Sequence, residues 1–313
     1  MLRYTFRRLL LALPVLVGIS VIAFFMVRLV PGDTVTALLG AHYSEAEAAA
    51  LRQKYELDRP LVVQYFVWLG HVLSGDLGVS AFTGEPVLGT IVSRLAVTVQ
   101  LVVISIGFAV LVAVPLGVMA AVGRGGRTDF VATVFGLLGI SVPGFWLGVL
   151  FILLFSLYLG WLPSGGFVSL VDDPVANLRH MAMPGLALGM AVAAVVMRMT
   201  RGAMLDVLGE DYVRMARAKG VPRRRLIIRH ALRNALIPVV TVTGIQAGYL
   251  LGGSIVIEQV FSLPGIGLLA LQAITNRDYA LLQGTVLFVA VAFVLINLLV
   301  DLIYARLDPR IEY

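Results

Sequence analysis

The 313-residue chain is 59% hydrophobic and 13% charged, with a mean hydropathy of +0.95, a balance that excludes an ordinary soluble domain. It carries no cysteine, which excludes disulfides and thiolate metal sites. The net charge of +6 sits in loops between apolar runs, so it orients the chain in a membrane and does not point to nucleic acid. Apolar runs near twenty residues recur from end to end, which predicts an all-α, polytopic membrane protein.

Arg3, Arg7 and Arg8 precede an apolar run from Leu9 to Val30. The run is longer than the ~7–15 residues of a signal-peptide core, and no small-x-small cleavage site follows, so residues 1–30 are expected to hold a retained first span. Residues 31–94 form a long polar loop in which Asp33, Glu45, Glu47, Glu56, Asp58, Asp76 and Glu85 outweigh Arg52, Lys54 and Arg59. Ser44 with Glu47 makes a capping-box pattern for a short helix ending before Pro60. Leu61 to Leu73 is too short to span and carries Tyr65 and Trp68, as an interfacial helix does.

Residues 95–313 supply five more spans. The second runs from Ala96 to Val122 and ends in the turn GRGGRTD, where Arg124 and Arg127 are set against Asp129. The third covers Phe130 to Leu159, with a kink expected at Val142-Pro143-Gly144. A loop with Trp161, Asp172 and Asp173 leads to a short fourth span, Met181 to Met197, with Arg198 and Arg201 at its exit. The fifth runs from Ala235 to Ile257. A loop with Glu258, Pro264 and Asp278 precedes the sixth, Ala280 to Tyr304, where Asp301 is expected to meet a basic neighbour such as Arg306.

The stretch from Asp211 to Pro238 is the most polar part of the chain and overlaps a basic segment, 198–234. Each of its arginines would cost about 2.5–3.5 kcal/mol at a helix centre, so it does not cross the bilayer. Basic and acidic loops alternate along the sequence, which puts both termini and this segment in the cytoplasm and residues 31–94 outside. Within it, Asp211 to Lys219 reads as a short helix with acid at its start, Gly220 as a left-handed stop, and Pro222 as the opening of the next helix. The small residues Ala216, Ala218 and Gly220 amid Arg214, Arg217 and Lys219 fit a helix that lies in another protein's groove. A plain basic loop in contact with anionic membrane lipid explains the same charges.

Glycines recur at four-residue spacing: Gly144 and Gly148, Gly185 and Gly189, then Gly244, Gly248 and Gly252. Small residues let helices approach closely, either within this chain or against a second subunit. Gln100, Ser105, Thr241, Thr243, Gln246 and Asn297 are the sparse polar groups inside spans. Gln246, Asn297 and above all Glu258, beyond the glycine stripe, are the candidates for lining or gating a path. Histidines 42, 71, 180 and 230 are scattered and show no metal-ligand spacing, and no Gly-Lys-Ser/Thr phosphate loop exists. No catalytic residue is assigned. Ser164-Gly165-Gly166 with His180 falls in a loop, a poor setting for an intramembrane hydrolase.

Several segments in order resemble one family: LRYTFRRLLLALPVLVGISVIAFFMVRLVPGD, LSGDLGVS, SVPGFWLG with LGWLP, DYVRMARAKG, RHALRNALIPVVT, LLGGSIVIEQVFSLPGIG and NLLVDLIYARLDPRIEY. They are similar to the first permease of the dipeptide, oligopeptide and nickel importers of the ATP-binding-cassette class. The resemblance implies a type I importer permease fold of six transmembrane helices. It also implies a bacterial or archaeal cytoplasmic membrane and a short-peptide or related small-solute cargo. Asp211, Tyr212, Arg214, Ala216, Arg217, Ala218, Lys219 and Gly220 then resemble the family's ATPase-coupling helix. The general importer motif opens Glu-Ala-Ala and has a glycine four residues after the second alanine. Here Arg214, Met215 and Ala216 hold the first three places and Gly220 the glycine. The implied partners are a homologous second permease, two ATPase subunits and an extracytoplasmic substrate-binding protein. The implied cofactors, ATP and Mg, bind the partner ATPases and not this chain. A stand-alone secondary transporter or channel is the alternative, weakened because no membrane-embedded acidic pair or inverted repeat is visible.

Overall fold

A computed structural model describes residues 2–29, 44–46, 49 and 58–307. Glu47 of the capping-box pattern, most of the first half of the 31–94 loop and the tail after Leu307 lie outside the described residues. Among the described residues the architecture is all-α, and an isolated antiparallel bridge between Val79 and Pro86 is the sole pairing of extended chain. The helices are α1 (Leu2–Leu29), α2 (Leu61–Leu73), α3 (Val87–Val122), α4 (Arg127–Ser141), α5 (Gly144–Phe151), α6 (Pro174–Gly209), α7 (Asp211–Ala218), α8 (Arg233–Gly253), α9 (Ile255–Val260), α10 (Ile266–Thr275) and α11 (Tyr279–Leu307). Two π-helical stretches extend them: Ile152–Tyr158 continues α5, and Leu226–Leu232 leads from the turn Arg223–Arg225 into α8.

Among the described residues five helical stretches are long and apolar enough to cross a membrane, and a sixth span results if α4 and the α5 stretch count as one. α6 is the hub: 61% of its apolar window is enclosed by protein, against 11% for α11. It runs parallel to α3, with Gly185 on Ile104 and Gly117 on Thr200, and antiparallel to α4, with Gly139 on Ala194. α11 runs antiparallel to both α8 and α1, because Gly248 meets Phe293 and Arg8 pairs with Asp301 at 3.0 Å. The core where α3, α6 and α8 meet is built from Ala109, Ala113, Val196, Met197, Val239 and Leu251. Small residues dominate this seam because lipid tails are as apolar as leucine, so only close van der Waals contact favours helix against helix.

This arrangement sorts the chain into two ends. Arg8, the 123–126 turn, Arg201, α7 and Asp301 gather at a basic end. The 76–86 segment, Trp161, Asp173, α9 and Asp278 gather at the other. α3 and α6 have 36 residues each, about 54 Å, well beyond the ~30 Å of hydrocarbon, so both protrude.

The structure moves several sequence-derived boundaries. α3 starts at Val87, not Ala96, because Arg94 lies on its protruding part. α6 runs from Pro174 to Gly209 and is not short: the Asp173 carboxyl accepts from Val175 N at 3.0 Å and Ala176 N at 2.9 Å, capping it well before Met181. The third span breaks where the kink was expected, and more sharply than a kink. α4 and the α5 stretch meet at 98° across Val142-Pro143, where the residue before proline is held extended. The fifth helix stops at Gly253, so Glu258 belongs to the separate helix α9. Asp301 meets a basic partner, Arg8 of α1; the side chain of Arg306 lies outside the described residues.

Candidate coupling and gate sites

At the basic end, α7 follows α6 after a single residue, Glu210, whose extended backbone breaks the helix. Val213 is its anchor, fully buried, and Ala216 one turn on is half-buried. Tyr212 pins the same helix to the start of the fifth span: its hydroxyl accepts from Asn234 Nδ2 at 2.6 Å and donates to the His230 carbonyl at 3.3 Å. Asp211, Arg214, Met215, Arg217, Ala218 and Lys219 are exposed. Arg214 lies 3.4 Å from Asp211, but with both side chains largely in solvent this pair contributes little.

The C-terminus of α7 closes in a Schellman motif. Val221 N donates to Ala216 O at 3.2 Å, and Gly220 N donates to Arg217 O at 3.0 Å, with Gly220 at φ +77°. Space around Gly220 is open, so its requirement for glycine is conformational and not steric. Pro222 then caps the turn Arg223–Arg225, and buried Leu226 and Ala231 seat the π stretch beneath α7.

Next to α7's root, Arg201 Nε and Nη2 grip Asp129 at 2.6 and 2.9 Å, while Gly125 N donates to the same carboxyl at 2.9 Å. This fork ties the α3–α4 turn to α6. The local reading placed Arg124 and Arg127 opposite Asp129. The partner that forms the fork comes from Arg201, 72 residues away in sequence, which no local signal reveals.

At the opposite end Glu258 is fully buried. Its carboxyl accepts from Ser254 Oγ at 2.6 Å, Thr98 Oγ1 at 3.1 Å and Leu268 N at 2.7 Å. Thr98 in turn accepts from Ile266 N at 2.9 Å. The carboxyl and the threonine therefore supply the missing first-turn caps of α10 and bind the α9–α10 hairpin to α3. Gly265 and Gly267 make room, since a methyl at Gly267 would stand 3.1 Å from Glu258 Oε2 and one at Gly265 would overlap the carboxyl. Glu258 thus faces no open space; it fastens α9 and α10 to α3.

The other lining candidates do not converge. Asn297 donates to Phe293 O at 3.0 Å within α11, on the stretch that meets the glycine stripe of α8. Gln246, half-buried, lies two residues from both Gly244 and Gly248 and so occupies the opposite face of α8. Gly244, Gly248 and Gly252 face Val300, Phe293 and Val289 of this same chain. Gly148 faces Phe261, and Gly144 faces the Ala187 carbonyl. Sequence reasoning missed Asn177, fully buried and exchanging both amide hydrogen bonds with Gln100. It also missed the role of Asp278, which receives the Ser80 hydroxyl and Leu281 N and so clamps the 80–83 loop to the start of α11.

The fold and both ends match a known family. Residues 113–313 fit the model of the binding-protein-dependent transport system inner membrane component, and residues 1–102 fit that family's N-terminal model. The chain belongs to this family. The glutathione transport system permease protein GsiC of Salmonella typhi is 44% identical over 313 residues, spanning 100% of both chains. The dipeptide transport system permease protein DppB of Alkalihalophilus pseudofirmus is 40% identical over 333 residues, again spanning 100% of both. A chain from inward-facing structures of the MetNI methionine ABC transporter superposes with a TM-score of 0.57 at 19% identity, covering 71% of this chain and 97% of that one. At that identity the likeness speaks for the fold alone: a type I ABC importer permease. The protein is a multi-pass permease of the inner membrane.

Proposed function

We propose that this permease imports short peptides or related small solutes, driven by ATP that separate subunits hydrolyse. The observation that carries the reading is α7: a short helix rigidly fixed on one face and charged and exposed on the other, at the basic end where the positive-inside rule puts the cytoplasm. Asp211, Tyr212, Arg214, Ala216, Arg217, Ala218, Lys219 and Gly220 form the proposed docking element for one of two ATPases, which bind the ATP and Mg. A force on its exposed face passes through Val213 and Tyr212 into the end of α6 and the π stretch below α8. From there it reaches α3 and α11 through glycine contacts that behave as rigid joints.

At the other end the Glu258 lock closes the path from outside, and loops there are proposed to receive the extracytoplasmic binding protein. A homologous second permease supplies the other half of the pathway. Relatives named for glutathione and for dipeptides support a peptide-like cargo. Affinity purification of the chain from its own membranes in mild detergent, with mass spectrometry of what accompanies it, tests this reading. A second six-span chain with ATPase subunits is the expected result. Recovery of the chain alone or as a homo-oligomer, even after crosslinking, would overturn it and leave the basic segment a plain lipid-facing loop.

A further inference from the structure

We propose that the groove between α1 and α11 holds one acyl chain of an anionic phospholipid from the leaflet at the basic end. The groove encloses about 240 Å³ and is walled by Phe6, Leu9, Leu13 and Leu16 of α1 and by Leu295 and Leu298 of α11. It extends from residue 6 to residue 16, about 15 Å along the helix, which is half of the ~30 Å hydrocarbon thickness and so one leaflet. An acyl chain entering from the basic side ends where the groove ends.

Two features select lipid over protein. Helices that pack against one another in membranes present small or polar residues, as α8 does with Gly244 and Gly248 against α11. The groove presents one small residue, Ala12, and no polar one; the rest are leucines, valines and a phenylalanine, several of them widely exposed. The second feature is charge. The groove opens beside the Arg8–Asp301 pair, and exposed Arg7 stands next to Phe6 at the mouth. A phosphate headgroup at that mouth meets cationic side chains while its tail lies among leucines. The inference rests on the membrane placement of the chain and not on what it transports, so it stands or falls separately from the importer reading.

The test uses the full chain in nanodiscs of equal phosphatidylglycerol and phosphatidylethanolamine, followed by native mass spectrometry of retained lipid. Wild type is expected to keep a phosphatidylglycerol in preference. Leu13→Trp, and independently Leu295→Trp from the facing wall, fill the groove and lose it, while helical content by circular dichroism stays the same. Arg7→Gln keeps a lipid but reduces the phosphatidylglycerol preference about fivefold, the worth of one basic residue near an anionic surface. Phosphatidylglycerol retained undiminished in both tryptophan variants overturns the proposal. So does a wild type that retains none, or a dimer of this chain that the same substitutions split. If Leu13→Trp fails to fold, Leu295→Trp and Arg7→Gln decide the matter.

Discussion

Thr98, Ser254 and the backbone of α10 all aim donors at one carboxyl, and each comes from a different segment. Glu258→Gln keeps the shape but turns one acceptor into a donor facing the Leu268 N–H or a hydroxyl, leaving a buried group unpaired. The expected loss is about 1–3 kcal/mol of stability, read as a lower Tm of the detergent-purified chain. Gly265→Ala, which pushes a methyl into the carboxyl, is expected to destabilise comparably, whereas the same change at Gly202, with open space around it, is expected to be near neutral. If Glu258→Gln matched wild type in Tm, the lock would be no lock. Glu258 was legible in the sequence as a lone acid beyond a glycine stripe. Its partner was not, because Thr98 is an ordinary hydroxyl in an apolar helix 160 residues earlier, and only the tertiary approach of α10 gives it a task. The same holds for Asp129, whose charge was visible and whose true partner Arg201 was not.

Among the elements, α7 is the one whose limits could be read almost to the residue. Its signals are local: acid at the start, a left-handed glycine at the end, and a proline two residues on. The place of the third span's bend could be read at Val142-Pro143-Gly144, but not its size, because a proline announces a break without setting its angle. The bent pair is held by distant contacts, Gly148 on Phe261 and Gly144 on the Ala187 carbonyl. For α7 the prediction separates conformation from contact. Gly220→Val forces a β-branched residue into φ +77°, at a cost of about 1–2 kcal/mol, and unwinds the Schellman closure. It is expected to leave ATP hydrolysis by the assembled complex largely intact while uptake falls severalfold. Arg214→Gln, at a side chain 71% exposed, is expected to leave the Tm of the isolated chain unchanged and to weaken ATPase recovery in co-purification. Normal uptake in Gly220→Val, with the protein present in the membrane at wild-type level, would count against α7 as a lever.

For the molecule as a whole, the two ends differ in charge, and the positive-inside rule turns that difference into an expected orientation. Arg201, the arginines of the 223–225 turn and α7 share one end with the Arg8–Asp301 pair. The positive-inside rule predicts that this basic end faces the cytoplasm. The spans themselves were legible because twenty apolar residues leave few alternatives in lipid. Their true lengths were not, because α3 and α6 continue as helix after leaving the hydrocarbon, where neighbouring helices and not hydropathy hold them. The absence of native cysteine makes the orientation directly measurable. Val171→Cys, at a side chain 91% exposed in the loop before α6, is expected to react with a membrane-impermeant maleimide in intact cells. Lys219→Cys, at the exposed end of α7, is expected to react only after the membrane is opened. Labelling of Lys219→Cys in intact cells would invert the molecule. It would move α7 away from any cytoplasmic ATPase and put the Glu258 lock on the inner side, so that one experiment decides which end is the lever and which the gate.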